Sequence, residues 1–236
     1  MSGYPIHSDI NAFTGRHTIH VGQDPATADP VVYVATVERF IALHGVRHAL
    51  LFSQTPVTAA ALIARPGFTI IRSDWEYTRT WPTGRARSAM PGLRVPVPED
   101  SELIARIIND AMDAGPDGVE TMEHVRNTIF APNWFNALVC VNSEEVAYGN
   151  AIHDGRAGTI GFLCVLPVAQ GRGLGRRLFD YLLAELDTQS HDVLTLVVEE
   201  SNTPAIRLYE SCNFIRGDGP FVQVEFRSPD SSPPSQ

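Results

Sequence analysis

Between Gly171 and Arg177 the chain places three glycines and three arginines, preceded by Gln170: Gln170-Gly171-Arg172-Gly173-Leu174-Gly175-Arg176-Arg177. Glycine lets the backbone take left-handed φ values and come close to a ligand. A helix that opens here presents first-turn N–H groups with no intrahelical partner. An anion at that end gains those hydrogen bonds and about 0.3–1 kcal/mol from the helix dipole. The chemistry on offer is the binding of a phosphate or diphosphate. The alternative is a tight strand-to-helix connection whose glycines serve packing. The dinucleotide fingerprint GxGxxG is excluded, because Arg176 stands where its third glycine belongs.

Other chemistry-bearing residues read more plainly. Cys164 lies in an apolar run with no histidine at a paired spacing, so it reads as an inert core thiol rather than a nucleophile. His44 and His48 are four apart but straddle Gly45, where a helix should end, and no metal site is expected. Cys140, Cys164 and Cys212 are widely spaced without a CxxC, which suits a reduced, cytoplasmic setting. No signal peptide is expected from the first residues, and no apolar run reaches the ~20 residues of a membrane helix.

Composition removes further classes. All eighteen basic residues are arginine. Walker-type nucleotide triphosphatases, pyridoxal Schiff bases and lysine nucleophiles all need the missing amine. The absence fits a compositional bias, or an amine-acylating enzyme that avoids modifying itself. Net charge is +2 over residues 1–92 and −11 over residues 93–236. An acidic second half disfavours nucleic acid as a partner. It serves solubility or attracts a cationic amine.

The elements that must position these residues follow from periodicity and turn chemistry. In the first part a strand is expected at 18–21, a helix at 31–44, a strand at 48–53, a helix at 58–64 and a strand near 69–80. Residues 83–92 form a Pro/Gly/Arg-rich linker. The second part reads as a strand at 93–97, helices to about 114 and at 119–130, and strands at 135–141, 146–153 and 159–166. A helix at 173–186, a strand at 193–198, a helix at 203–211 and a strand at 221–227 complete it. The last residues, 228–236, are low-complexity and expected to be disordered. The fold class is a mixed α/β sheet.

The two parts echo each other. At an offset of 146 residues, Leu50 falls on Leu196, Ala59 on Ala205, Leu62 on Leu208 and Phe68 on Phe214, with the same order of elements. Either the chain holds a repeat, or two strand–helix units resemble each other by chance. In the first part the glycine turn is replaced by Asp24-Pro25-Ala26-Thr27-Ala28-Asp29, whose carboxylates and proline would not receive a pyrophosphate.

Val165-x-Pro167-x-x-Gln170-x-x-Gly173-x-Gly175 resembles motif A of the GNAT (GCN5-related) N-acetyltransferase superfamily. Asn202-x-x-Ala205-x-x-Leu208-Tyr209-x-x-x-Asn213-Phe214 resembles its motif B. The resemblance covers about residues 93–227 and implies a catalytic GNAT domain there, with splayed central strands. Residues 1–82 look like a truncated, degenerate GNAT-like repeat, as in tandem members of the superfamily. The implied cofactor is acetyl-CoA, or another acyl-CoA, as co-substrate. Leu163 N–H would polarise the thioester carbonyl, and Leu163, Cys164 and Val165 would pair with the pantetheine arm like an added strand. Gln170, Gly171, Arg172, Gly173, Leu174, Gly175 and Arg176 would hold the pyrophosphate. Asn202 would bond to the pantetheine region and Ala205 would leave room for it. Tyr209 would contact the cofactor and protonate the departing thiolate, unless it is a core aromatic.

Departures from the pattern bear on mechanism. Asn213 replaces the usual glycine of motif B but tolerates left-handed φ. Thr159 and Val197 stand where many members carry a carboxylate base. Glu199, Glu200, Glu120, Glu123 and His153 are the remaining candidates, or the amine enters neutral. The acceptor groove should involve residues 101–133 and 215–222; Trp134, Phe135 and Phe221 line it or belong to the core. Asp110, Asp113, Asp117, Glu120 and Glu123 hint at a cationic acceptor. The expected function is acyl transfer to a primary amine of a small molecule or peptide, with no membrane partner. The alternatives are an acyl-CoA-binding module without turnover and a toxin-type aminoacyl-tRNA acetyltransferase, which the acidic second half opposes.

Overall fold

A computed structural model of the chain describes residues 4–10, 17–21, 27–84, 89–112 and 121–229. In chain order the elements are β1 (Ile6–Ile10), β2 (His17–Val21), α1 (Pro30–His44), β3 (His48–Gln54), α2 (Pro56–Ile63) and β4 (Phe68–Thr80). There follow β5 (Leu93–Arg94), α3 (Ser101–Met112), α4 (Met122–Thr128), β6 (Trp134–Val141), β7 (Glu144–Asp154) and β8 (Ala157–Val165). The chain ends in α5 (Leu174–Leu186), β9 (Val193–Glu199), α6 (Thr203–Glu210) and β10 (Ile215–Arg227).

Local signals explain most boundaries. α1 opens at a proline behind Asp29, whose carboxylate accepts from Val31 and Val32 N–H at 2.8 and 3.3 Å. It stops at Gly45, which takes φ 60°. β5 is two residues long rather than five. Pro96 has no N–H for a ladder, and Pro98 starts a 3-10 turn held by Asp100, which accepts from Val97 N–H (2.8 Å) and from Arg94. β10 begins six residues before its expected start, because Gly, Asp and Pro in its first half mask the strand. β1, short and polar, was not anticipated. Asp24, Pro25, Ala26, Asp113, Asp117, Glu120, the break at 115–118, part of the 83–92 linker and most of the tail lie outside the described residues.

The chain forms two compact units. The first contains the described residues up to Glu76, with Val198–Ile206 and the chain from Arg216 onward. Its strands run in the order β1-β2-β3-β10-β4. β1 pairs antiparallel with β2, β2 parallel with β3, and β10 antiparallel with β3. Tyr33, Val34, Val37 and Phe40 of α1 and Ala59 and Leu62 of α2 share a core with Leu51, Val224 and Phe226.

The second unit contains Tyr77–Val197 and Arg207–Ile215. Its strand order is β9-β8-β7-β6-β5. The pairs from β5 to β8 are antiparallel, and β8 pairs with β9 in parallel. α5 covers one face with Leu178, Phe179, Leu182, Leu183 and Leu186, all fully buried. Gly149 leaves room for it: a Cβ there would meet Leu182 at 2.9 Å. α3 and α4 pack Ile104, Ile107, Ile108 and Val125 into a core with Leu138, Tyr148 and Cys164.

Candidate acyl-donor site

The site starts at a fault in the ladder. Gly149 of β7 faces Leu163, and Ala151 faces Ile160, so Asn150 alone stands opposite Gly161 and Phe162. This β-bulge bends β8. The parallel register with β9 runs from Ala157↔Val193 to Ile160↔Leu196 and ends at that point, although both strands continue. Beyond the bulge the groups that face β7 are taken: Phe162 N–H donates to Asn150 Oδ1 (2.6 Å) and Leu166 N–H to the Val146 carbonyl (2.8 Å). Peptide groups alternate along a strand. Leu163 and Val165 therefore aim theirs at the opposite edge, where the register with β9 has ended. The Gln170 side chain uses one of these groups: its Nε2 donates to the Val165 carbonyl at 2.9 Å, which folds the glycine turn back on the strand. Cys164 turns its side chain into the core, and burial pushes its thiol up to about 12, so it is no nucleophile.

The turn then enters α5. Gly171 and Gly173 have φ of 72° and 74°, a region disfavoured for other residues. Gly173 is the N-cap and gives no side-chain cap. The first-turn N–H groups of α5 thus receive no side-chain cap. Leu174 anchors the helix start in the core, while Arg172 and Arg177 are exposed. Arg176 is committed elsewhere: its Nε donates to Asp180 (2.9 Å) and its Nη1 to Ser211 Oγ (3.2 Å). It braces the turn, and Arg172 and Arg177 are the exposed cations beside the helix end.

α6 carries the remaining expected residues. Asn202 Oδ1 caps it by accepting from Ala205 N–H at 3.2 Å. Asn202 is exposed and Ala205 half-buried, both in the first unit. Tyr209, in the second unit, is 6% exposed and packs between Phe179 and Phe214, at ring distances of 5.0 and 6.5 Å. Burial, and to a lesser degree Cys164, hold its phenol well above the usual value. Asn213 takes φ 63°, as expected for the stop of this helix.

The base candidates are dispersed. Thr159 Oγ1 is 2.9 Å from Thr195 Oγ1, and Val197 is exposed. Glu199 accepts from Ser201, and Glu200 pairs with Arg216. His153 Nδ1 lies 3.1 Å from His191 Nε2 in a stacked pair that sequence reasoning missed. His153 is paired with Gly158, five residues or roughly 16 Å along β8 from Leu163. Glu123 sits in the first turn of α4. His48 bonds Glu225 and His44 packs on Phe40, so these two histidines serve separate contacts. Of the groove candidates, Phe135 packs on Tyr181, Trp134 joins the α3–α4 core, and Phe221 is partly exposed.

A mixed sheet, a bulged and splayed central strand and a helix opened by a glycine turn define the GNAT fold. The FR47-like protein family model matches residues 140–219. A GCN5-related N-acetyltransferase from Sphaerobacter thermophilus superposes with a TM-score of 0.68 at 16% identity, over 94% of this chain and 76% of that one. A mycothiol acetyltransferase from Thermobispora bispora is 30% identical over 174 residues, 67% of this chain and 59% of that protein. A [ribosomal protein bS18]-alanine N-acetyltransferase from Salmonella typhimurium is 48% identical over 52 residues, 22% of this chain and 35% of that protein. The chain spans about half the length of the curated relatives that match most of its own length. Together these findings show the GNAT fold and a similarity in sequence to acetyltransferases of the GNAT superfamily.

Proposed function

We propose that the protein transfers an acetyl or other short acyl group from acyl-CoA to a primary amine by direct attack in a ternary complex. The observation that carries this reading is the end of the β8–β9 register at the bulge, with the Leu163 N–H directed to the open edge. A pantetheine arm fits such an edge as an added strand. The left-handed glycine turn and uncapped α5 start, with exposed Arg172 and Arg177 beside them, suit its pyrophosphate. Leu163 N–H would stabilise charge developing on the thioester oxygen, and Tyr209 would protonate the leaving thiolate. No carboxylate stands at Thr159 or Val197, so the amine is taken up already neutral. The acceptor is an amine of a small molecule or peptide, and the acidic second half would favour one that carries a further cationic group beside the reacting amine.

The first unit is read as a degenerate partial copy that supports the second. Shifting the chain by 146 residues puts β3 on β9, α2 on α6 and β4 on β10 to within one residue at each end. Asp29 occupies the start of α1 with its own carboxylate, where α5 has Gly173.

Titration calorimetry with acetyl-CoA, followed by thiol release across a panel of amines, tests the proposal. Saturable binding and amine-dependent thiol release are expected. No binding of acetyl-CoA, propionyl-CoA or free CoA would sink it.

A further inference from the structure

A single line of hydrogen bonds runs behind β8 in the second unit. Phe162 N–H donates to Asn150 Oδ1 (2.6 Å), Asn150 Nδ2 to Tyr148 Oη (2.9 Å), the Tyr148 hydroxyl to Asn136 Oδ1 (2.7 Å), and Asn136 Nδ2 to the Ile129 carbonyl (2.6 Å) at the end of α4. One terminus is a backbone donor and the other a backbone acceptor. The side chains between them have one set of orientations that satisfies every bond. Asn150 and Tyr148 are fully buried and Asn136 nearly so. Gly161 belongs to the arrangement, since a Cβ there would collide with Asn150 Oδ1.

A regular antiparallel pair would not need this line. The bulge deprives Phe162 N–H of a backbone carbonyl, and Asn150 supplies the missing acceptor. Fixing that N–H toward β7 also fixes the next one toward the opposite edge. The next N–H is Leu163.

We infer that Asn150, oriented by Tyr148 and Asn136, is a positioning residue that aims the Leu163 N–H at the thioester carbonyl of acetyl-CoA. The inference rests on the acyl-CoA reading of the site. Its test is spectroscopic and needs no acceptor. Acetyl-CoA labelled with ¹³C at the carbonyl is bound to the protein, and the carbonyl stretch is read by isotope-edited difference infrared spectroscopy. A hydrogen bond from Leu163 lowers that frequency and sharpens the band. Tyr148→Phe removes the hydroxyl that holds Asn150. The red shift should shrink by about half or more and the band broaden, with the Kd for acetyl-CoA within about threefold of wild type. Asn150→Ala removes the acceptor outright and should abolish the shift. Circular dichroism checks both folds, and Tyr148→Phe decides alone if the alanine variant does not fold. A shift as large and sharp in Tyr148→Phe as in wild type overturns the inference, as does loss of acetyl-CoA binding in that variant. Wild-type protein that binds acetyl-CoA without any red shift overturns it too. Failure of wild type to bind acetyl-CoA overturns the acyl-CoA reading itself and the inference with it.

Discussion

Tyr209 is a core aromatic to which the proposed mechanism also gives a proton to deliver. Its ring packs on Phe179 and Phe214, and among the described residues its hydroxyl makes no hydrogen bond. Burial raises its pKa, so it carries its proton at any working pH. On the proposed mechanism, a thiolate leaving in the same dehydrated surroundings would be made more basic by the same cause, which would keep donor and acceptor matched. Tyr209→Phe keeps the ring packing and removes only the proton. It should lower the rate of thiol release by about 10²-fold or more and leave the calorimetric Kd for acetyl-CoA near wild type. An unchanged rate would make Tyr209 a core aromatic and nothing more. Tyr209, the glycines and Leu163 entered the proposal from the sequence because motif spacing marks them. Asn150, Tyr148, Asn136 and His191 were not, because a hydrogen bond across strands leaves no periodic trace. The only hint was an asparagine inside the apolar run Ala147–Ile152.

At the scale of elements, the turn into α5 separates two roles for glycine. Gly173 has φ 74° and a Cβ there would meet nothing within 4 Å, so its requirement is conformational alone. Gly175 lies inside the helix, and its Cβ would meet Val165 at an ordinary 3.6 Å. Gly173→Ala should cost about 1–2 kcal/mol of the turn's geometry, read as roughly tenfold weaker acetyl-CoA binding. Gly175→Ala should hold or raise the thermal midpoint, by about 0.5–1 kcal/mol of helix propensity. Equal losses in the two variants would refute the distinction. Long apolar elements bounded by turn residues, such as α1, α5, β6 and β7, were readable to within a few residues. β1 and the first half of β10 were hidden by polar and turn-forming residues. The bulge at Gly161-Phe162 was invisible as well, since it appears only when the register of β8 is set against that of β7.

Across the whole molecule, protonation links the fold to pH. Burial and the adjoining His191 ring hold the His153 imidazole below its ordinary value of about 6.5. As pH falls through about 6.5 the unfolded chain gains a proton that the folded chain takes up only at lower pH. The unfolded state binds more protons in that window, so this contribution is intact above about pH 6.5 and lost below it. The thermal midpoint should therefore fall between about pH 7.5 and about pH 5.5, and fall less in His153→Gln. Equal drops would assign the acid sensitivity of this window to other groups; a carboxyl held below the usual range, as Arg94 holds that of Asp100, loses its contribution only below about pH 5. At this scale the sequence disclosed an echo between its two parts and the GNAT character of the second. That β10 returns to pair with β3 of the first unit was beyond it, because the pairing partners lie some 170 residues apart.

Asp29 has a consequence for how ligands are counted. Its carboxylate is tethered to the helix end it fills, so its effective concentration there far exceeds that of any dissolved phosphate. The start of α1 is thus capped by its own side chain, whereas that of α5 has no side-chain cap. On the proposed reading, of these two corresponding helix starts only that of α5 is open to a diphosphate.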